Sequence, residues 1–130
     1  MAAPLTLVTG GDQMAAIVVA DDDEAVRILL RFNLELEGHV VVGEAADGSA
    51  AVSVTCEIRP DVLVLDMMMP GGGGADVLRR LGEDACPSRP VVIAYSASPT
   101  HLQLAGELGA DATILKSGDM TDLMAAIAAA

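Results

Sequence analysis

The chain has almost no lysine: Lys116 stands alone against nineteen aspartates and glutamates. With six arginines the formal charge is still −12, which excludes nonspecific nucleic-acid binding, because that depends on basic side chains at phosphates. Such acidity suits a protein that handles cations or meets basic surfaces. Tryptophan is absent and there is one tyrosine and one phenylalanine, too few for a platform on which bases stack. No GxxxxGK[ST] or GxGxxG pattern occurs, so nucleotide binding has no motif to rest on. No apolar run approaches the ~18 residues of a membrane span. Met1 to Met14 has no basic start and no compact apolar core, which argues against a signal peptide. The two cysteines, Cys56 and Cys86, form no CxxC and are expected to be reduced thiols in a cytosolic protein, without a metal or disulfide role. His39 and His101 have no ligand-type neighbours in sequence and read as structural or solvated.

What is present is an apolar chain, 52% hydrophobic, and this excludes a disordered one. At 130 residues it makes one domain. Residues 1–14 read as a loose leader and 15–130 as the domain. Short apolar strands are expected at Ile17–Ala20, His39–Val42, Val62–Leu65, Val91–Tyr95 and Ala112–Leu115. Helices are expected from about Glu24 to Glu37, with Ala25, Ile28, Leu29, Phe32 and Leu36 on one face, and at Gly48–Ile58, capped by Asp47. Three more follow, at Ala75–Leu81, Pro99–Leu108 and Asp119–Ala129, the last with an inward stripe of Met120, Leu123, Met124 and Ile127. Gly38 and Gly109 stop two of the helices. Strict strand–helix alternation with near-continuous apolar strands predicts an α/β fold, a doubly wound parallel sheet with helices on both faces.

In such sheets ligands bind beyond the carboxyl ends of the strands. Four strands of this chain end in polar residues of consequence. Asp21-Asp22-Asp23 follows the first, Asp66 the third, Ser96 the fourth and Lys116 the fifth. One aspartate of the triplet is expected to cap the following helix. Adjacent carboxylates also repel, and a hard divalent cation relieves them with oxygen ligands and waters. Asp66 precedes Met67-Met68-Met69-Pro70 and four glycines, a loop that lets backbone approach a ligand. An aspartate can be a nucleophile toward phosphorus. Ser96 can donate to a phosphoryl oxygen, and Lys116 can supply a point charge for phosphate.

Asp21-Asp22, Asp66 with Met69-Pro70-Gly71, Ser96-Ala97 and Lys116, together with Pro60-Asp61-Val62 and Gly109-Ala110-Asp111, resemble the receiver domain of two-component response regulators over residues 15–129. The resemblance implies strand order 2-1-3-4-5 with five helices in a flavodoxin-like three-layer sandwich. It implies that Asp66 takes a phosphoryl group from a phosphohistidine on a sensor histidine kinase or phosphotransfer protein. Asp22, Asp66 and the carbonyl of Met68 would hold Mg²⁺, with Asp21 acting through a water. Lys116 would pair with Asp66 and then with the phosphoryl group, and Ser96 would swing toward it. Met68 and Ser98 would flank the hydrolytic water and set the signal's lifetime. The domain would catalyse only its own phosphorylation and slow dephosphorylation, in the cytoplasm, without binding nucleic acid or membrane.

The family pattern is broken in places. Thr113 stands where an aromatic switch residue is usual, Ser117 where a proline with a cis bond is usual, and glycines fill a loop that is usually acidic. The Lys116–Ser117 isomer and the route of the signal to the face of the fourth helix, fifth strand and fifth helix stay open. So do homodimerisation on phosphorylation and whether the chain stands alone or belongs to a longer regulator. Two rival readings remain: a Mg²⁺-dependent phosphatase with an aspartyl nucleophile, disfavoured by Met68 where a second acid is needed, and a flavin carrier, disfavoured by the scarcity of aromatics.

Overall fold

The computed structural model describes residues 14–117 and 120–130. The expected leader, apart from Met14, and Asp119 at the expected start of the last helix lie outside the described residues.

Five strands and five helices alternate: β1 (Ala16–Ala20), α1 (Glu24–Leu36), β2 (Val40–Ala45), α2 (Gly48–Ile58), β3 (Val62–Leu65), α3 (Gly73–Gly82), β4 (Val91–Ser96), α4 (Pro99–Glu107), β5 (Ala112–Leu115) and α5 (Thr121–Ala128). The strands form one all-parallel sheet in the order β2-β1-β3-β4-β5. This is the doubly wound, flavodoxin-like sandwich expected. Successive strand residues point to opposite faces and build two cores. Val18, Leu63, Leu65 and Val92 pack with residues of α2, α3 and α4. Ile17, Val19, Val64 and Ile93 pack with residues of α1 and α5.

Helix signals are met locally. Asp23 caps α1 by accepting from Ala25 N at 2.9 Å, and Asp47 caps α2 by accepting from Ala50 N at 2.7 Å. Pro99 begins α4 behind the Ser98 cap. Gly38 and Gly109 end α1 and α4 in the left-handed region, at φ 92° and 100°. Leu123 and Ile127 of α5 are buried, and Met120 and Met124 pack against the same core.

Helix α1 turns its longest apolar stripe outward. Ala25, Ile28, Leu29, Phe32 and Leu36 do share a face, but that face is exposed. Leu30 and Leu34 anchor the helix instead, 1% and 0% exposed, each stabilising it by about 2 kcal/mol. Helix α3 begins at Gly73, two residues before the expected Ala75. Gly71, Gly72 and Gly73 all take positive φ, and Gly74 then presses so close to the preceding strand end that a Cβ would lie 2.7 Å from Asp66 O. The glycine run therefore folds α3 back onto Asp66.

The cysteines overturn the expectation of two reduced thiols. Cys56, in the last turns of α2, and Cys86, in the loop after α3, form a disulfide with Cα atoms 4.7 Å apart. They meet because α2 and α3 pack side by side and the chain reverses after α3, where Asp84 takes φ 60°. The cysteines thus give no support to a cytosolic address.

Candidate functional site

The sheet register assembles the site. Ala20 pairs with Leu65, so the residues that follow them, Asp21 and Asp66, emerge side by side. Asp66 N donates to Ala20 O at 2.9 Å, continuing the ladder one rung beyond the strands. Ser96 pairs with Leu115, and Lys116 N donates to Ser96 O at 2.8 Å. The strand ends singled out in the sequence are thereby gathered at one edge of the sheet.

Lys116 closes the group. Its Nζ lies 2.8 Å from Asp21 Oδ2 and 3.5 Å from Asp66 Oδ1. Asp21 and Asp66 are buried while Asp22 is exposed, and a carboxylate oxygen from each lies within 4.8 Å of the others. Burial pushes the Asp66 carboxyl above its usual range, opposed by the Met68 N–H and by Lys116 and reinforced by Asp21. Burial works against the Lys116 ammonium, but its hydrogen bond to Asp21 and the charge of Asp66 prevail and its pKa is raised.

The donor set fits magnesium. It consists of hard oxygens on few carboxylates, with an exposed side left for waters. That side opens into a cleft of about 620 Å³ lined by Asp22, Met68, Pro70, Gly72 and His101, among others. Met68 donates its N–H to Asp66 Oδ1 at 3.2 Å while its side chain stays exposed. Ser96 is fully buried, and its Oγ accepts from Ser98 N at 3.1 Å; Ser98 Oγ in turn accepts from His101 N at 3.2 Å. Thr113 is not among the gathered residues: it is exposed on the edge strand, paired with Ala94. The Lys116–Ser117 peptide is trans, as are all the described peptide bonds.

Three residues near the site had not been singled out for it. His101 lines the cleft, on α4. Tyr95 packs on the α1/α5 face, as strand alternation requires, yet its ring centroid is 5.4 Å from Lys116 Nζ. Arg27 donates to the Asp21 carbonyl at 2.7 Å. Only the 3-residue offset of Arg27 into the helix after the aspartates could have hinted at that contact.

The family profile described as the response regulator receiver domain matches residues 17–128. The chain belongs to the response regulator receiver family. Similar receivers span its sequence and its structure. The transcriptional regulatory protein YvfU of Bacillus subtilis is 30% identical over 115 residues, 88% of this chain and 58% of that protein. The nitrate/nitrite response regulator NarP of Escherichia coli is 32% identical over 114 residues, 87% of this chain and 53% of that protein. This receiver therefore spans about half the length of those curated relatives. Among solved structures, the signal receiver domain of NarL from Mycobacterium tuberculosis superposes with TM-score 0.78 at 35% identity, covering 88% of this chain and 94% of that one. The isolated receiver of RcsB from Salmonella enterica, determined with the phosphomimetic BeF₃⁻, gives TM-score 0.78 at 29% identity, over 90% and 88%.

Proposed function

We propose that Asp66 is the phosphoacceptor of a two-component system. The observation that carries the reading is the buried Asp66 carboxylate, flanked by Lys116 at 3.5 Å and grouped with Asp21 and Asp22. An Asp66 oxygen attacks the phosphorus of a phosphohistidine on a sensor histidine kinase or phosphotransfer protein. The P–N bond breaks, its electrons return to the imidazole, and the imidazole takes up a proton. Asp22, Asp66 and the Met68 carbonyl would hold Mg²⁺, with Asp21 acting through a water, and the ion would neutralise phosphoryl charge. Lys116 offsets the remaining charge.

The donor must approach through the cleft, and the exposed apolar face of α1 begins beside it, one turn after Asp22. Ala25, Ile28, Leu29 and Phe32 offer that partner a contact surface. The domain acts once per phosphoryl group and turns over no external substrate. Met68 and Ser98 set the lifetime of the phosphoryl group. The net charge of −12 leaves nucleic-acid contacts, where needed, to another domain or partner. We place the domain in the cytoplasm, the compartment of its phosphodonor.

Switching follows from the hydrogen bonds of Ser96. A swing of the Ser96 side chain toward a phosphoryl oxygen would carry its Oγ away from Ser98 N, which now donates to it at 3.1 Å. Ser98 is also the cap of α4, so the change is passed to the start of that helix. Thr113 brings no large ring to this response, and its exposed β5 position leaves the α4–β5–α5 face for a partner or a second copy.

The test is phosphoryl uptake from acetyl phosphate with Mg²⁺, read by intact mass. The wild type should gain one phosphoryl group and Asp66→Asn none. Labelling of Asp66→Asn at the wild-type level would remove the assignment.

A further inference from the structure

Asp21 is held at every polar atom. Its side chain accepts from Lys116 Nζ at 2.8 Å and from Asp23 N at 2.9 Å. Its N–H donates to Ala45 O at 3.0 Å, and its carbonyl accepts from Arg27 at 2.7 Å. Arg27 is itself fixed: its Nε lies 3.0 Å from Glu44 Oε1, with the arginine side chain only 16% exposed. Glu44 is in β2, next to Ala45, and also takes Arg31 Nη2 at 2.7 Å. Hydrogen bonding by Arg31 and Arg27 holds the Glu44 carboxyl below its usual range.

We propose that Arg27 and Glu44 form a clamp that positions the acidic turn 21–23 for metal binding; the proposal rests on the reading of that turn as part of the Mg²⁺ site. Neither residue lies among the three gathered carboxylates, so both are positioning residues. The physical case is one of competing forces. Three carboxylates crowd the turn and repel, and a free turn would relieve this by swinging Asp22 outward. A guanidinium on the Asp21 carbonyl, braced from the neighbouring strand, opposes that motion and adds positive charge beneath the site. Bidentate reach matters here. Arg27 bonds a carboxylate through Nε and a carbonyl through Nη1, a span between separate acceptors that a lysine would have to cover from one nitrogen.

The molecule supplies its own control. Arg89 makes the same kind of double contact, to Asp111 at 3.0 Å and to the Gly109 carbonyl at 2.7 Å, but it precedes β4 at the opposite end of the strand. Mg²⁺ affinity of the full chain is measured by calorimetry for the wild type, Arg27→Met, Glu44→Gln, the double variant and Arg89→Met, with thermal melts alongside. Arg27→Met should weaken Mg²⁺ binding about tenfold or more, and Arg89→Met should leave it within twofold. Because Glu44 acts through Arg27, the double variant should bind no worse than Arg27→Met alone. If Arg27→Met fails to fold, Glu44→Gln carries the test, with a weakening of at least threefold expected. Unchanged affinity in the clamp variants, or equal loss in Arg89→Met, overturns the clamp. A wild type that binds no Mg²⁺ overturns the reading of the site itself.

Discussion

Lys116 lies closer to Asp21, at 2.8 Å, than to Asp66, at 3.5 Å. The ammonium is thus bonded to the deeper carboxylate and is only a neighbour of the one proposed to carry the phosphoryl group. Its removal leaves the Asp21–Asp66 repulsion offset only by the Asp23 and Met68 amides and the more distant Arg27 guanidinium among the described residues. Lys116→Met should destabilise the Mg²⁺-free protein by about 2 kcal/mol, between the range for exposed pairs and that for fully buried ones. Millimolar Mg²⁺ should restore most of this loss. Urea melts with and without the ion measure both numbers, and equal loss in the two conditions would contradict the arrangement.

Glu44 gives a pH dependence with a definite sign. Arg31 and Arg27 depress its folded-state pKa. A depressed carboxyl contributes stability above its unfolded pKa and loses it as pH falls through the folded value. Glu44→Gln should therefore be less stable than wild type at neutral pH. The gap should close as the medium is acidified below the ordinary glutamate range, near pH 4. Parallel denaturation curves at the two pH values provide the comparison.

The Cys56–Cys86 bridge closes a sequence separation of 30 residues. Chain entropy alone assigns such a cross-link about 3.6 kcal/mol. Treatment with a dithiol reductant should lower the melting temperature, and Cys56→Ser should lower it by a similar amount and then be insensitive to reductant. A melt that reductant leaves in place, together with two titratable thiols in the untreated protein, would show that the bridge is not formed in solution.

At Gly74 a methyl group would meet Asp66 O at 2.7 Å and Met67 Cα at 2.8 Å, both backbone atoms that cannot turn aside. Gly74→Ala should cost about 2 kcal/mol through overpacking. It should also slow phosphoryl uptake more than Gly106→Ala does, because the carbonyl it displaces belongs to Asp66. Apart from its chain neighbours and the backbone of its own helix, no described atom lies within 4 Å of a Cβ at Gly106, so that variant isolates the local effect.

Elements and strand ends were legible because buried parallel strands read as apolar runs and polar residues punctuate them. Strand order was not: it came from family likeness, since alternation alone fits several windings. The inward face of α1 is not legible in its periodicity because the helix is apolar over much of its circumference. Ile28, Leu29 and Phe32 outweigh Leu30 and Leu34 in a periodicity count. What orients the helix is burial of Leu30 and Leu34 against the sheet, which Arg27 and Arg31 reinforce by reaching Glu44, and local spacing contains neither pairing. The disulfide was hidden for the same reason: it depends on two helices lying side by side. The glycine run was rightly read as permissive, but what it admits is its own helix, packed against Asp66.

The amide of Asp66 is tied to the carbonyl of Ala20 at 2.9 Å, at the centre of the sheet. The two buried acids therefore cannot drift apart unless the middle of the ladder unzips. Like charges are kept in company by backbone pairing, and Lys116 is the one side-chain cation bonded to a carboxylate of the pair among the described residues. The closeness of the two acids is in this sense a property of strand pairing, fixed by the ladder and not by the loops.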